Sequence, residues 1–168
     1  MEFDKVIRER QATRKFSSKL VEKEKLESIL EAGRIAPTAK NLQPIKIYVV
    51  ESEEGLEKID KASPCRYNAP VVFLVCGDKE KAFSKDNHST YEIDASIVAT
   101  HMILETTNQG IDNIWVDLFE RDIIREEFNL SDNLIPVALL PIGYREENCP
   151  DSPNHNKRKD LTDIVEYV

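Results

Sequence analysis

At 168 residues, the chain has the length of one domain with a substantial core. Hydrophobic content of 40% beside 32% charged residues excludes a disordered chain. A net charge of −8 excludes general nucleic-acid affinity, so an anionic ligand would need a local basic cluster.

In chain order, Phe3, Val6 and Ile7 share one face of a short N-terminal helix. The run Arg10-Gln11-Ala12-Thr13-Arg14-Lys15-Phe16 follows. By itself it reads as a solvated basic segment. Two guanidinium forks at Arg10 and Arg14 would also suit a phosphate, if the chain curls between them. Leu26, Ile29, Leu30 and Gly33 recur at helical spacing within a helix over 21–35. Pro37 ends that helix, because it lacks an N–H and disfavours α geometry in the residue before it. Residues 36–44, APTAKNLQP, form a loop of small and amide residues between two prolines. Such a loop lets a planar ligand approach the backbone, and Asn41 and Gln43 each offer a donor and an acceptor. By composition it is equally an ordinary helix-to-strand connection.

Ile45–Val50 is a β-branched strand. Ser52-Glu53-Glu54 has the polar, acidic character of a helix start, and Leu56 and Ile59 give that helix a small apolar face. Ser63-Pro64 and Ala69-Pro70 mark an irregular stretch. Residues 71–76 are continuously apolar, as in a strand covered on both faces, which makes Cys76 a core thiol. Residues 77–90 are polar with little periodicity. His88 lies there without a carboxylate or cysteine at metal-ligand spacing and reads as a surface residue.

Tyr91–Asn108 is the longest helix and is apolar nearly all round. A helix of that kind must be buried, here in a core and at a subunit interface. His101 within it reads as an interior residue. Gly110 ends the helix as a C′ glycine, and residues 110–119 read as a core strand carrying Trp115. Residues 122–128 form a short amphipathic helix. Residues 134–144 form a strand, whose Pro136 and Pro141 argue for strand ends or bulges. The tail holds a basic stretch, Lys157-Arg158-Lys159, and then Ile164, Val165 and Val168.

No apolar run approaches bilayer length, and the N-terminal MEFDKVIRER has no apolar signal region. Three cysteines, Cys65, Cys76 and Cys149, form no CxxC pair, zinc spacing or iron–sulfur run. Reduced thiols in the cytoplasm, and no metal, are the expectation. With five glycines in all, there is no Rossmann dinucleotide fingerprint.

Four stretches together resemble one family. APTAKNLQP resembles the APSxxNxQPW signature of the FMN-dependent nitroreductases, with Thr38 where Ser is commoner and Ile45 where Trp is common. RQATRKF resembles their RRSxRxF stretch, with Ala12 in place of the hydroxyl residue. LPIGY resembles their P-x-G strand, and HNKRK their HxxRK stretch. The order is the family's order and spans nearly the whole chain.

The resemblance implies a single α+β domain over 1–168. Its sheet would be mixed but mostly antiparallel, flanked by helices, in an interlocked homodimer with FMN at the dimer interface. Helix 91–108 would form the dimer, and residues 163–168 would cross to the partner's sheet. The positions matching flavin-binding residues are Arg10, Gln11, Ala12, Arg14, Asn41, Gln43 and Arg158. Pro37, Thr38 and Ala39 would face the flavin of the other subunit. Trp115 and Val116 would line the ring, with backbone amides at Asp117 and Leu118 near N5. The implied reaction is ping-pong: NAD(P)H reduces FMN, which then reduces a nitroaromatic, quinone or related small acceptor. No catalytic side chain and no metal would be needed. Another flavin enzyme on the same scaffold, a reductive dehalogenase or flavin-destroying oxygenase, is the alternative. A non-enzymatic flavin-binding redox module is a further one. No cysteine pairs with a particular His and an orienting acid, as a hydrolase would require.

Overall fold

The computed structural model describes residues 2–168. Its elements are α1 (Phe3–Glu9), α2 (Lys23–Arg34), β1 (Ile45–Val50), α3 (Glu53–Ala62), β2 (Val71–Asp78), β3 (Ser84–Lys85), β4 (His88–Ser89), α4 (Tyr91–Asn108), β5 (Asp112–Asn113), α5 (Arg121–Glu127) and β6 (Leu134–Gly143). The main sheet runs β1-β2-β6-β5, each neighbouring pair antiparallel. A parallel bridge between Ala12 and Asn113 makes it mixed. This is the α+β arrangement expected, a mostly antiparallel sheet with helices on both faces.

Strand alternation sorts the side chains into two cores. Val71, Phe73 and Val75 of β2 pack with α2 and α4, whereas Val72, Leu74 and Cys76 pack with α3 and α5. All eight residues of β2 are buried, which explains the unbroken apolar run. Phe73, Leu74 and Val75 are fully covered, each worth about 1.5–3 kcal/mol in burial.

Both prolines of β6 lie inside the strand. The ladder to β2 shifts register between Val75 and Cys76, which pair with Ala138 and Pro136. Val137 is the extra residue, and it joins Ala138 in the same core. Pro136 therefore sits at a bulge, as its residue type requires. Pro141 accepts from the Ile114 N–H at 3.1 Å. Its missing donor faces that same side, where only bridges, not a full ladder, continue past β5.

Ser52 caps α3 by accepting from the Gly55 N–H at 3.1 Å. Helices α2 and α4 approach closely because Gly33 has no side chain: a Cβ there would meet Met102 Cγ at 2.9 Å. Gly110 follows α4 with φ +70°, the left-handed geometry its type accommodates.

One segment differs from the sequence reading. Residues 77–90 contain the β3–β4 hairpin, turned by Asp86 and Asn87, both left-handed (φ 52° and 63°). Without glycine, this turn gives a weak sequence signal. Helix α4 is covered on one side only within the chain: Ile93 is 48% exposed, and His101 is half-buried on the open side. The terminal Ile164, Val165 and Val168 lie exposed along the tail.

Candidate functional site

Arg10 caps the C-terminal end of α1, and the chain from there to Phe16 is stitched along the edge of β5. Ala12 bridges Asn113. The Thr13 N–H donates to the Asn113 carbonyl at 3.0 Å, and the Thr13 hydroxyl to Asp112 Oδ1 at 2.9 Å. Asn113 in turn donates from Nδ2 to the Ile103 carbonyl and to Thr107 Oγ1, both at 3.1 Å, on the last turns of α4. The tail returns to this place. Arg158 donates to the carbonyls of Asn154 and Lys157, and its charge is felt at Arg10. Burial first, and then the Arg158 guanidinium, push Arg10 below its usual range. Among the described residues, no carboxylate lies within ion-pair distance of Arg10, Arg14 or Arg158. A phosphate dianion beside Arg10 and Arg158 would relieve their mutual repulsion. Arg14 reaches the Tyr67 hydroxyl, which itself donates to Cys65 Sγ at 3.4 Å.

Gln11 is directed elsewhere. Its Nε2 donates to Asp151 Oδ1 and its Oε1 accepts from the Ser152 N–H, both at 3.2 Å. It ties the N-terminal run to the tail.

The loop 36–44 lies at the other end of α4. The Ala39 N–H donates to Asp94 Oδ1 at 2.8 Å, and the Gln43 N–H to Thr38 Oγ1 at 3.0 Å. Lys40, Asn41 and Gln43 are left-handed (φ 52°, 55° and 50°), a geometry costing about 1 kcal/mol or more for a residue with a Cβ. The Lys40 ammonium stands over the Phe83 ring, 4.2 Å from its centroid. Pro37, Asn41 and Gln43 are exposed, and Thr38 and Ala39 partly so. A cavity of about 230 Å³ opens beneath, lined by Thr38, Gln43, Ile45, Ile47, Gly33 and Val98 among others.

Between the two ends runs the segment after β5. Val116 bridges Leu139, and its side chain is 4% exposed in the α3/α5 core, so it presents no free face. Trp115, on the opposite side by alternation, is half-buried against the α2/α4 core. Asp117 and Leu118 are exposed, and among the described residues their backbone N–H groups have no acceptor. Ser63 fixes this turn by donating to the Leu118 carbonyl at 2.7 Å.

The residues singled out from sequence thus fall into two groups within one chain. Arg10 and Arg158 feel each other's charge at the end of the N-terminal run that Asn113 ties to Thr107, Arg14 turns to Tyr67, and Pro37, Thr38, Ala39, Asn41 and Gln43 gather near Asp94. Those helix positions are about 20 Å apart at 1.5 Å per residue. Asn41 and Gln43 therefore group with Pro37 within this chain, apart from Arg10. Sequence reasoning passed over Asp94 and Tyr67. An acid in the first turn of an apolar helix was the available signal for Asp94, since acids are seldom fully buried without partners. Among the described residues no group of His, Cys, Asp and Glu is placed to hold a metal, and no helix is long and apolar enough to cross a membrane.

The model of the "Nitroreductase family" matches residues 7–66 and 61–144. A nitroreductase family protein from Clostridium difficile is 42% identical, with a TM-score of 0.93 and coverage of 99% of this chain and 98% of that one. A protein of Methanothermobacter thermautotrophicus, provisionally named NADH dehydrogenase/NAD(P)H nitroreductase, is 28% identical over 88% of this chain and 80% of its own. A structure from Exiguobacterium sibiricum, described as a nitroreductase in complex with FMN, is 22% identical. Its TM-score is 0.85, and it covers 100% of this chain and 98% of that one.

Proposed function

We propose that this chain, a member of the nitroreductase family, is an NAD(P)H-dependent FMN oxidoreductase acting on nitroaromatics, quinones or related acceptors as a homodimer. The observation that carries this reading is the split site. One chain carries Arg10 and Arg158, close enough to feel each other's charge and without a carboxylate partner among the described residues, toward one end of α4, and a strained, exposed amide loop at the other. A copy packed on the open face of α4 about a two-fold axis perpendicular to that helix would run its helix antiparallel, setting each loop beside the partner's arginines. The exposed apolar tail would then find its cover on the partner.

The residues present fit FMN. Arg10, Arg14 and Arg158 would hold its phosphate. Loop 36–44 of the second copy, and Trp115, would border the ring, and the Asp117 and Leu118 amides would donate to its edge. When bound, FMN supplies two-electron chemistry, taking a hydride from NAD(P)H and passing reducing equivalents to the acceptor. The protein binds, orients and excludes water. No side chain is assigned as nucleophile or acid, and backbone donors hold their place whatever side chain they carry. The relatives' names and the FMN complex support this reading.

The test is direct. Purified protein should show a flavin absorption spectrum, elute as a dimer, and oxidise NAD(P)H with a quinone or nitroaromatic acceptor. A colourless monomer that gains no colour with added FMN would refute the proposal. Turnover confined to halogenated substrates, or to destruction of the flavin itself, would move the chain to a different flavin chemistry on this fold.

A further inference from the structure

The loop 36–44 is held from outside by a carboxylate that the proposed chemistry does not use. Asp94 is 1% exposed on the first turn of α4. Its Oδ1 accepts from the Ala39 N–H at 2.8 Å, and its Oδ2 accepts from the Thr90 hydroxyl at 2.8 Å. Its own N–H donates to the Thr90 carbonyl at 2.8 Å. Among the described residues no cation pairs with it within 4 Å. A carboxylate buried without a cation is costly and is retained only where its hydrogen bonds are fully used.

Both oxygens of Asp94 are engaged, one by its own helix and one by the loop. Immediately after Ala39 come the left-handed Lys40 and Asn41, and then Gln43. Strained backbone of this kind persists where its surroundings over-determine it. The over-determination here is identifiable: Asp94 at Ala39, Thr38 Oγ1 at Gln43, and Phe83 beneath Lys40.

We propose that Asp94 is a positioning residue for the flavin-facing loop. By fixing the Ala39 amide it sets Pro37 and Thr38 at the height of the ring and keeps residues 40–43 in their left-handed geometry. Asp94 itself touches neither FMN nor substrate. The proposal rests on the flavin reading above, and its test separates the two.

Asp94→Asn preserves both contacts: Oδ1 can accept from Ala39, and Nδ2 can donate to Thr90 Oγ1. Asp94→Ala removes both. Thr90→Val removes only the bond that orients the carboxylate, at constant shape. Hydrogen exchange of segment 36–44 in the FMN-free dimer reads the loop, and titration with FMN reads the site. Expected are at least tenfold faster exchange and tenfold weaker FMN binding in Asp94→Ala. Thr90→Val should show about threefold in each, and Asp94→Asn values within twofold of the parent. Unchanged exchange in folded Asp94→Ala and Thr90→Val would overturn the proposal. Faster exchange with unchanged FMN binding would overturn it by showing that the loop does not meet the flavin. Loss of FMN binding in Asp94→Asn with the loop still protected would also overturn it, since charge and not position would then be what matters. A purely structural role would lower the melting temperature while leaving FMN affinity of the folded protein unchanged.

Discussion

The two long faces of α4 obey different rules. The inner face, Ala95, Val98, Ala99, Met102, Ile103 and Thr106, is buried against the sheet and α2. The outer face carries Glu92, Ile93, Ser96, Ile97, Thr100 and His101 around a shallow hollow of about 470 Å³. Ala95, Ala99 and Met102 are wholly covered, while Ile93 is 48% exposed. The inner face is accounted for by this chain alone. The outer face sets Ile93 among Glu92, Ser96, Thr100 and His101, with Ile93 uncovered by this chain and Ile97 leaning back on its core. The first concerns folding and the second, on the present proposal, assembly, so substitutions on the two faces should fail in different ways.

The largest effect is expected on the outer face. A double substitution of Ile93 and Thr100 to Asp, both exposed in the outer hollow, should abolish the dimer and, with it, FMN binding, because each site would lose its second half. Light scattering and far-UV circular dichroism should show a folded monomer without flavin colour. A dimer that survives both substitutions would place the interface elsewhere. Met102→Ala on the inner face should instead cost about 2–5 kcal/mol of stability through the cavity it leaves beside Gly33. It should remain a dimer and remain yellow. Denaturant midpoints at fixed protein concentration give the comparison, and if Met102→Ala changed assembly more than stability, the division of the helix would be wrong.

This contrast also explains what the sequence could convey. Hydrophobic pattern marked α4 as Tyr91–Asn108 and β1 as Ile45–Val50, the bounds the structure has. Apolar periodicity reports that a surface is covered, and it does not say by what. Hence the pattern of α4 read as burial all round, although within one chain Ile93 and His101 lie on the open side. The hairpin at residues 84–89 escaped because its turn uses Asp86 and Asn87 without a glycine. Of the candidate site, the arginines and the loop were legible as residue types. The resemblance already sets residues 37–39 at the flavin of the other subunit, but the ties that hold the two ends apart were not legible: Asn113 joins the N-terminal run to Thr107, and Asp94 holds Ala39. Both ties are single polar side chains without periodic signal.

A smaller effect is expected at the arginine end. Arg158→Ala should weaken FMN binding by about 1.5–3 kcal/mol, the scale of a charge-assisted hydrogen bond. Arg10→Ala should do the same. Neither should dissociate the dimer, which distinguishes them from the outer-face variants. Calorimetric titration with FMN measures the loss. Unchanged dissociation constants in both would remove the phosphate site and leave the arginines as surface charge.

The smallest effects should come from thiols and imidazoles, and Cys76 and His101 sharpen the comparison because they lie at its two extremes. Cys76 is fully covered in β2, and burial pushes its thiol up to about 12. It is therefore neutral at pH 8, without the thiolate that alkylation needs. Native protein should label at half-buried Cys65 before Cys76, and Cys76 should become reactive only on unfolding. The sign of the linkage follows: the unfolded thiol loses its proton near its ordinary value of 9.0 while the folded one keeps it. This group's contribution to stability is intact below pH 9 and declines as pH rises toward 12. Cys76→Ala should cost about 1 kcal/mol in packing and leave the rate of flavin reduction by NAD(P)H unchanged. His101→Ala, on the open face, should act only through assembly. Stopped-flow reduction of the bound flavin tests both. If either variant kept its FMN and its dimer but lost reduction by orders of magnitude, a side chain would be taking part in the chemistry. The division of α4 into a folding face and an assembly face would then be incomplete.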